Sequence, residues 1–491
     1  MTYVGTSVSP VILIDRDEAK PLHRQVYDGY RDAILRGDLA PGQKIPSSRE
    51  LASEIRVSRF PVLHAYAQLT AEGYFESQIG SGTFISTTLP EQMMSSENGT
   101  EQSEQGPSGD RPIARRALLY PRYPRDLNIS GLGPFGLHHA ELDQFPFQLW
   151  SGLMTRHSRN PSSSSLRRIN PMGSPRFREE ICHYLRTARS VKCDPEQIMI
   201  VSGSQQALDI TARVLFDPGD LVLIEEPGYN LQRKMLAAAG CRLKLVPVDD
   251  QGMDVVKASR CNGAKAAFVT PSHQFPLGST MSATRRLLLL NWAQGSGAWI
   301  VEDDYDSEYR FDARPIASLQ GLDVNARVIY IGTFSKMLFP SLRVGYVVIP
   351  RDLIHLFEAV RFAMDIFPPY LYQEVLADFM ALGHLGRYIR KMRQIYAERR
   401  NTLIQSIRAE FGDTLGVHGA AAGMHVSVTL PDGFNDVDIA ERASTQRLLL
   451  WPLSKYYAGK KARHGFVLGY GSTPAEQIPQ AVKQLHALIL R

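Results

Sequence analysis

Segments with one apolar face are followed by short β-type stretches near the start of the chain. One amphipathic segment runs from Leu22 to Arg36, a second begins at a serine pair near Ser47, and a third runs from Ser58 to Glu72. Serine is a preferred helix N-cap, so the second segment also carries a start signal. Two β-like stretches follow at Tyr74–Ser77 and Thr83–Ser86. Three helices and a β-hairpin predict a winged helix-turn-helix module.

Further along, the pattern changes to short apolar runs rich in Val and Ile, separated by helical segments. The runs are QIMIVSG, DLVLIEEP, CRLKLVPV, AAFVTP, AWIVEDD, RVIYIG and LRVGYVVIP. Runs that are apolar on both faces are typical of strands in a covered sheet, so they predict an α/β domain with a mostly parallel sheet. From about Asp352 to Phe411 the pattern is helical, and a smaller α+β region follows.

A polar segment separates the two patterns. Residues 89–110 contain five acidic residues, no basic residue and almost no large apolar side chain. Such a segment cannot recover the conformational entropy lost on ordering, so we predict a flexible linker. A chain of 491 residues also exceeds what one hydrophobic core usually supports. We therefore predict a winged-helix domain at 15–88, a linker at 89–115 and a larger domain at 116–491.

Composition and charge narrow the class of protein only slightly. The formal net charge is +5, but residues 1–88 hold nine Lys and Arg against ten Asp and Glu, so bulk charge does not indicate nucleic-acid binding there. The chain has neither an apolar run as long as a membrane span nor a signal-peptide core, so we expect a soluble, cytoplasmic protein. The four cysteines lack the close pairs of a zinc or redox site, which predicts reduced thiols and no metal site.

Polar residues stand where a helix-turn-helix module meets DNA. Ser58 and Arg59 open the third helix, from which side chains reach base edges and backbone amides reach phosphates. Arg49 lies just inside the second helix, where it could hold a phosphate, and Gly80 and Gly82 could let the wing enter a minor groove. From position alone, the two arginines can equally be solvated helix charges.

Two motifs of the larger part place polar groups at strand ends. Ser204 and Gln205 follow a strand and open a helix, where an anion is favoured. Asp303 and Tyr305 also follow a strand; a carboxylate can keep a pyridine nitrogen protonated, and a phenol can hydrogen-bond a ring oxygen. An ordinary capped helix is the alternative for the first motif, and a solvated turn or metal ligands are the alternatives for the second.

A third motif, GTFSKMLFPSLRVGY, carries Lys336 after a strand and Arg343 seven residues later. Burial would lower the pKa of the amine toward the range needed for a Schiff base, and a guanidinium can grip a phosphate through two hydrogen bonds. An ordinary surface lysine is the alternative. It is less consistent with several motifs that occur in one order and suit one ligand, a phosphorylated pyridine aldehyde.

The first part of the chain resembles the GntR family of winged-helix regulators over nearly all of residues 20–87. The resemblance is carried by PLHRQVYDGYRDAILRGDLAPGQKIPSSRELASEIRVSR and AYAQLTAEGYFESQIGSGTFIS. It implies contacts to double-stranded operator DNA from Ser47, Ser48, Arg49, Ser58, Arg59, Gly80 and Gly82. The family usually has a small polar pair after Ser-Arg, where this chain has Phe60-Pro61, so the resemblance implies no base preference at that point.

The larger part is similar to the fold-type I aminotransferases over residues 120–491, through SGSQQAL, EEPGY, PSHQFPLG, EDDYDSE and GTFSKMLFPSLRVGY. The whole arrangement resembles the MocR regulators. This implies a mostly parallel seven-stranded sheet, a smaller C-terminal α+β domain and the cofactor pyridoxal 5'-phosphate. By resemblance, Lys336 forms the internal aldimine, Asp303 pairs with the pyridine nitrogen, Tyr305 bonds the ring oxygen, Tyr229 stacks on the ring, and Ser204, Gln205 and Arg343 hold the phosphate.

Two features depart from the enzymes. His273 lies in the segment where they carry an asparagine near the ring oxygen, and a core or loop histidine is an equally good interpretation. The C-terminal arginine that grips the substrate carboxylate in many aminotransferases has no match in FVLGYG, and Arg463 or Arg233 could substitute for it.

The resemblance implies a DNA-binding transcription regulator that senses a small amine or amino acid, or pyridoxal phosphate itself, at Lys336. It also implies a head-to-tail homodimer and a repeated or palindromic operator. The alternative function is an aminotransferase with a secondary DNA-binding module. Since Lys336 and Asp303 are the groups that transamination needs, turnover stays open.

Overall fold

The computed structural model of the chain consists of two compact units, residues 1–111 and 112–491. The residues that it describes are 9–10, 12, 14–16, 18–78, 81–89, 114–120, 133–137, 140–159, 167, 170–311, 316–459 and 461–490. Most of the predicted linker, residues 90–113, lies outside them, as does Gly80 of the predicted wing. Leu89, the first residue of that predicted linker, packs in the core of the first unit, because its side chain is apolar and buried.

Among its described residues, the first unit contains three helices and a two-stranded sheet, which confirms the winged-helix prediction. The helices are α1 (Leu22–Leu35), α2 (Ser48–Glu54) and α3 (Arg59–Ala71), and the strands are β1 (Phe75–Gln78) and β2 (Gly82–Ile85). The two strands pair antiparallel, and each is displaced by one residue from its predicted position.

Helical periodicity explains the core of this unit. The buried residues of α3 are Val62, Ala65, Tyr66 and Leu69, whose spacing of three and four places them on one helix face. The Tyr66 ring meets the Phe75 ring edge-to-face, with centroids 5.2 Å apart. The sheet therefore covers the inner face of α3 and leaves its outer face to solvent.

The second unit contains two sheets and thirteen α-helices among its described residues. Its strands are β3 (Ile198–Val201), β4 (Leu221–Glu226), β5 (Arg242–Asp249), β6 (Gly252–Met253), β7 (Ala264–Val269), β8 (Trp299–Asp304), β9 (Val328–Thr333), β10 (Gly345–Val348), β11 (Gly416–His418), β12 (His425–Thr429), β13 (Trp451–Pro452) and β14 (Gly465–Gly469).

The α-helices are α4 (Phe147–Arg159), α5 (Pro175–Arg189), α6 (Ser204–Leu215), α7 (Asn230–Ala238), α8 (Val255–Ser259), α9 (Ala283–Ser296), α10 (Leu319–Leu322), α11 (Phe334–Met337), α12 (Ile354–Asp365), α13 (Leu371–Ala381), α14 (His384–Phe411), α15 (Asp436–Thr445) and α16 (Ile478–Ile489). Short 3-10 helices occur at Arg115–Leu119, Pro195–Gln197, Pro340–Leu342, Arg351–Leu353, Leu453–Tyr456 and Ala475–Gln477.

The large sheet has the strand order β3-β10-β9-β8-β7-β4-β5-β6. All seven apolar runs of the sequence form strands in it, and β5, β4, β7, β8 and β9 pair in parallel. β10 lies antiparallel between β9 and β3. The eighth strand is the two-residue β6, which pairs antiparallel with β5 at the end of the sheet. No apolar run in the sequence predicted it.

Apolar side chains cover both faces of the large sheet. In β3, Ile198 and Ile200 contribute to one core cluster, whereas Met199 and Val201 contribute to another. Successive side chains of a strand point to opposite faces, so a strand buried on both sides must be apolar throughout. This explains the continuous apolar runs in the sequence.

The smaller sheet follows the long helix α14 and is antiparallel, with the order β11-β12-β14-β13. Helix α16 packs against α14, which confirms the predicted helical region and the α+β region after it. Among the described helices, none is both long and apolar enough to cross a membrane.

Candidate functional site

Ionisable side chains lie at the adjacent ends of β8 and β9, two neighbouring strands of the large sheet. Asp303 lies near the end of β8 and Tyr305 follows that strand, while β9 leads directly into α11, which carries Lys336. Because β8 and β9 are parallel, with Asp303 opposite Ile331, their carboxyl ends lie at one edge of the sheet. This is the edge at which open α/β sheets bind ligands.

The amine of Lys336 is enclosed by the protein. Burial lowers the pKa of Lys336 to about 7, although the negative charges of Asp306 and Asp303 act in the opposite direction. A large share of the amine is therefore unprotonated at neutral pH. An unprotonated amine is the nucleophile that forms a C=N bond with a carbonyl carbon.

The carboxyl group of Asp303 is buried in the same region. Burial, together with the charges of Asp304 and Asp306, raises the pKa of Asp303 to about 7. Its Oδ1 atom has no hydrogen-bond partner among the described residues. A buried oxygen without a donor is costly, so a ligand N–H group at this point would be stabilised.

An anion site is formed where α6 begins. Gly203 precedes the helix with a φ of +86°, and a Cβ atom there would lie 2.9 Å from Nη2 of Arg343. The same nitrogen donates to the carbonyl oxygen of Ser202 at 2.8 Å, which holds the guanidinium against the first turn. Ser204 and Gln205 begin the helix. Free backbone amides, a hydroxyl group and a guanidinium at one helix start favour a bound phosphate.

The ring of Tyr229 lies near both ends of this pocket. It precedes α7, and its centroid lies 6.0 Å from that of Phe275 in an edge-to-face contact. Burial and the negative charge of Asp303 raise the pKa of Tyr229 to about 12, while the positive charge of Arg343 acts to lower it. The phenol therefore lies within electrostatic reach of the carboxylate and of the guanidinium.

A histidine network borders Tyr305. Nδ1 of His273 lies 3.0 Å from Oδ2 of Asp306 and 3.1 Å from the phenolic oxygen of Tyr305. Because a carboxylate only accepts, the Nδ1–H of His273 points toward Asp306, and the hydroxyl hydrogen of Tyr305 can be donated to another group. The His273 ring also lies 4.6 Å from the ring of His425, which comes from the smaller sheet.

His273, Asp306 and His425 also resemble a metal-binding set, since the side-chain atoms that could bind a metal lie within 4.8 Å of one another. Hydrogen bonds explain part of this arrangement, whereas Nε2 of His273 is buried without a hydrogen-bond partner among the described residues. Asp306 accepts from His273, and Nε2 of His425 lies 3.1 Å from the carbonyl oxygen of Pro276. Burial and the neighbouring His273 lower the pKa of His425 to about 3, so its ring is neutral and donates one hydrogen to that carbonyl.

In the first unit, the residues predicted to meet DNA lie around the starts of α2 and α3. Arg49, Ser58 and Arg59 are exposed, and Nε of Arg59 donates to Oγ of Ser48 at 3.0 Å, which joins the two helix starts. Ser47 caps α2: its hydroxyl accepts from the amide of Glu50, and its own amide donates to the Glu50 carboxylate.

Of the two glycines predicted to lie in the wing, one is among the described residues. Gly82 is exposed at the start of β2 with a φ of +115°, a backbone conformation that favours glycine. A Cβ atom there would lie 2.9 Å from Cε of Lys44, so the glycine also leaves room for a lysine beside the wing. The other predicted wing residue, Gly80, lies outside the described residues.

Both units match known family models. The model for bacterial regulatory proteins of the gntR family matches residues 22–85, and the model for aminotransferases of class I and II matches residues 153–450. The probable rhizopine catabolism regulatory protein MocR of Rhizobium meliloti is 37% identical over 480 residues, which cover 98% of this chain and 96% of that protein. The chain belongs to the MocR-type GntR regulators.

Two further regulators match nearly the whole length of this MocR-type chain, and an enzyme of known structure matches about three quarters of it. The HTH-type transcriptional regulator TauR of Rhodobacter capsulatus is 31% identical and covers 92% of the chain and 93% of its own length. The HTH-type pyridoxine biosynthesis transcriptional regulator PdxR of Corynebacterium glutamicum is 30% identical and covers 94% of each. Kynurenine aminotransferase of Pyrococcus horikoshii matches in structure with a TM-score of 0.70 and 27% identity, over 77% of the chain and 96% of the enzyme.

The pocket of this MocR-type chain fits pyridoxal phosphate by its own geometry. Asp303 offers a buried oxygen that lacks a donor, and the hydroxyl of Ser335, next to Lys336, is also buried without a partner among the described residues. The absence of a Cβ at Gly203 lets the guanidinium of Arg343 lie against the start of α6, where an anion such as a phosphate is favoured. The residues present therefore match the ring nitrogen, the aldehyde and the phosphate of that cofactor.

Sequence reasoning missed Asp306 and His425 as part of this pocket. Asp306 stands inside the quoted motif EDDYDSE, so the acid-rich string contained a signal for it. His425 had no sequence signal, because only the packing of the smaller sheet brings it to His273.

The two arginines considered for an effector carboxylate have different surroundings. Arg463 is exposed on the segment before β14. Arg233 is half-buried on α7, and its Nη2 donates to Oδ1 of Asn230 at 2.6 Å. Among the described residues, neither guanidinium hydrogen-bonds to Lys336, Asp303, Tyr305 or His273, so their role stays a prediction.

Proposed function

We propose that this chain is a transcription regulator that binds operator DNA through its winged helix and is controlled at Lys336 by a small amine or amino acid. The observation that carries this proposal is the presence, in one chain, of a GntR-type winged helix and a pocket in which a buried lysine of lowered pKa is accompanied by a buried carboxyl group, Asp303, whose Oδ1 has no hydrogen-bond partner among the described residues. The full-length similarity to named regulators supports it.

Each side chain of the pocket has a distinct task in this proposal. Pyridoxal phosphate supplies an aldehyde carbon that amines attack and a ring nitrogen that takes up a proton. Lys336 would supply a nucleophilic amine beside that aldehyde, and Asp303 would accept a hydrogen bond from the ring nitrogen and favour its protonated form. Ser204, Gln205 and Arg343 would hold the phosphate, Tyr229 would cover the ring, and Tyr305 would donate its hydroxyl hydrogen to the ring oxygen.

An amine effector would compete with the Lys336 nitrogen for the cofactor aldehyde. Asp303 and the proposed phosphate-binding residues would hold the cofactor in either case, so we propose that the two states differ on the side of the pocket that contains Lys336 and His273. A ligand shifts a conformational equilibrium only by its difference in affinity for the two states. We propose that the smaller sheet provides the second state, because His425 contacts His273 directly.

We further propose that two copies assemble head-to-tail, so that two winged helices meet a repeated or palindromic operator. Solution mass measured by light scattering on the full chain tests the copy number. A stable monomer that binds operator with full affinity would contradict this part.

Control by pyridoxal phosphate alone is a second form of the same function. The named role of the PdxR relative in pyridoxine biosynthesis supports it. In that case operator affinity would change on cofactor loading, with no amine present.

A catalytic role as an aminotransferase is the second candidate function. It is supported by the aromatic-amino-acid aminotransferase of Thermococcus litoralis, which is 27% identical over 70% of the chain. Lys336 and Asp303 are the groups that such chemistry requires.

One experiment separates these functions. The purified protein is loaded with pyridoxal phosphate, and its visible absorbance is followed through a panel of amines and amino acids, with operator affinity measured in parallel. A band that shifts with one amine and persists, together with changed DNA affinity, supports the regulator. Steady conversion to the pyridoxamine form with release of a keto product supports the enzyme. A band that is absent, or unchanged in Lys336→Ala, contradicts the cofactor site.

A further inference from the structure

Phe60 is the most exposed aromatic side chain among the described residues. It is the second residue of α3, and 76% of its surface is open to solvent. Leu63, one turn later, is 45% exposed. The buried apolar residues of α3 lie on the opposite face, so Phe60 and Leu63 contribute nothing to the core of the unit.

The charges around this aromatic ring indicate what covers it. Arg59 precedes it, and Arg49 is exposed on α2, whose start is joined to α3 by the hydrogen bond between Arg59 and Ser48. Exposed cationic side chains at the starts of α2 and α3 suit a polyanion. An exposed apolar ring on the first turn of α3 suits a polyanion that also presents an apolar group.

Double-stranded DNA presents one such group in its major groove, the 5-methyl group of thymine. The first residues of a recognition helix are those that reach base edges, and phenylalanine is among the side chains that contact this methyl group. Phe60 occupies that position. A protein partner would need an extended apolar area, whereas the exposed apolar residues of α3 are one ring and one leucine, with Arg59 next to the ring in the sequence.

We propose that Phe60 selects thymine in the operator by packing its ring on the 5-methyl group. This inference rests on the proposed DNA binding and deepens it, because it assigns a base preference to the helix start. Arg59 and Arg49 then fix the position of α3 through phosphates or bases, and Phe60 supplies discrimination among sites that carry the same charge.

The test replaces single thymines by deoxyuridine, which removes only the methyl group. The preferred DNA duplex is first selected by binding to the full-length protein. The pool for this selection is a randomised library together with the DNA upstream of the protein's own gene. Affinities for the selected duplex and for each deoxyuridine version are then measured by fluorescence anisotropy at fixed salt, for the parent protein, Phe60→Ala and Phe60→Leu. Phe362→Ala is the matched control, since Phe362 is a 55% exposed phenylalanine on a helix of the other unit.

We expect one or two deoxyuridine positions to weaken binding by the parent about fourfold each, the effect of burying one methyl-sized group. Phe60→Ala should bind the thymine duplex about tenfold more weakly and should not respond to deoxyuridine at those positions. Phe60→Leu should keep a reduced response, and Phe362→Ala should behave as the parent. Thermal unfolding of Phe60→Ala should match the parent, because the ring is outside the core.

Several results would overturn the inference. One is a DNA affinity of the parent protein that no deoxyuridine substitution changes. Another is a deoxyuridine substitution that lowers the affinity of the parent and of Phe60→Ala equally. A change in oligomeric state in Phe60→Ala, with DNA affinity unchanged, would assign the ring to a protein contact instead. Failure to select any duplex would remove the proposed DNA binding itself, whereas a selected duplex without a methyl effect removes only the role of Phe60.

Discussion

The two functional regions of this chain place their side chains in opposite surroundings. On the winged helix, Arg49, Ser58 and Arg59 are exposed to solvent. In the second unit, Lys336 and Asp303 are enclosed, and burial moves the pKa of each to about 7, from above for the amine and from below for the carboxyl group. The first region is a surface, and the second is an interior.

This difference follows from the size of the ligand. A DNA duplex is met from outside, so the side chains that reach it remain hydrated until it binds. A small cofactor is surrounded, so the groups that hold it lose water permanently and their protonation changes. Substitutions of the exposed winged-helix side chains that are proposed to touch DNA should therefore leave cofactor binding unchanged, whereas substitutions in the pocket should change cofactor binding while the winged helix stays folded.

The largest effect is expected for Lys336→Ala. This variant should lose covalent attachment of pyridoxal phosphate completely, because no other amine occupies the position, while its winged helix stays folded. Mass spectrometry after borohydride reduction measures the attachment. Lys234→Ala, which removes an exposed lysine of the same unit, should be labelled as the parent is. Equal labelling of Lys336→Ala and the parent would show that the pocket does not act through this residue.

A smaller but graded effect is expected from pH. Since burial lowers the pKa of Lys336 to about 7, the neutral amine falls about tenfold per pH unit below that value and levels off above it. The rate of cofactor attachment to the cofactor-free protein should follow this curve. Nα-acetyl-lysine in the same buffers should instead keep rising toward about pH 10. Parallel curves would contradict the burial of this amine.

Arg59→Ala should weaken operator binding by about 1–3 kcal/mol and leave the visible absorbance of the cofactor unchanged. Arg36→Ala removes an exposed arginine at the far end of α1 and should have little effect on DNA affinity. Anisotropy titrations at one salt concentration compare the two. Identical affinities in Arg59→Ala and the parent would remove α3 as the recognition helix.

The smallest effect distinguishes two serines that were both predicted to contact DNA. Ser47→Ala should lower the free energy of unfolding of the winged helix by about 1 kcal/mol, because its hydroxyl caps α2. Ser58→Ala should leave stability nearly unchanged, since the Ser58 side chain makes no cap hydrogen bond at the start of α3. Denaturant unfolding monitored by circular dichroism measures both. Equal losses would show that Ser58 also has a structural role.

Local patterns carried most of the fold and part of the site. The seven apolar runs became strands because a strand covered on both faces requires them. Asp303 and Lys336 could be predicted because Asp303 lies near the end of one such strand and Lys336 lies just after another. The winged helix was readable for the same reason, since its caps and apolar spacings are properties of neighbouring residues.

Contacts between distant segments were not readable in this way. His273, Asp306 and His425 come from two sheets, and no periodicity relates them. The two-residue strand β6 was missed because pairing along an edge needs no apolar run. Such features depend on how helices and strands that are distant in the sequence pack together, and no local sequence pattern indicates that packing.

The connection between β9 and β10 carries both Lys336 and Arg343, and the two strands that it joins are neighbours, with Gly345 opposite Thr333. The residues proposed for the two ends of the cofactor are therefore both anchored to the large sheet. His425 lies in β12 of the smaller sheet, and its ring is 4.6 Å from that of His273. In the proposed mechanism, we expect the large sheet to be the fixed reference and the smaller sheet to be the part that responds to a change of ligand.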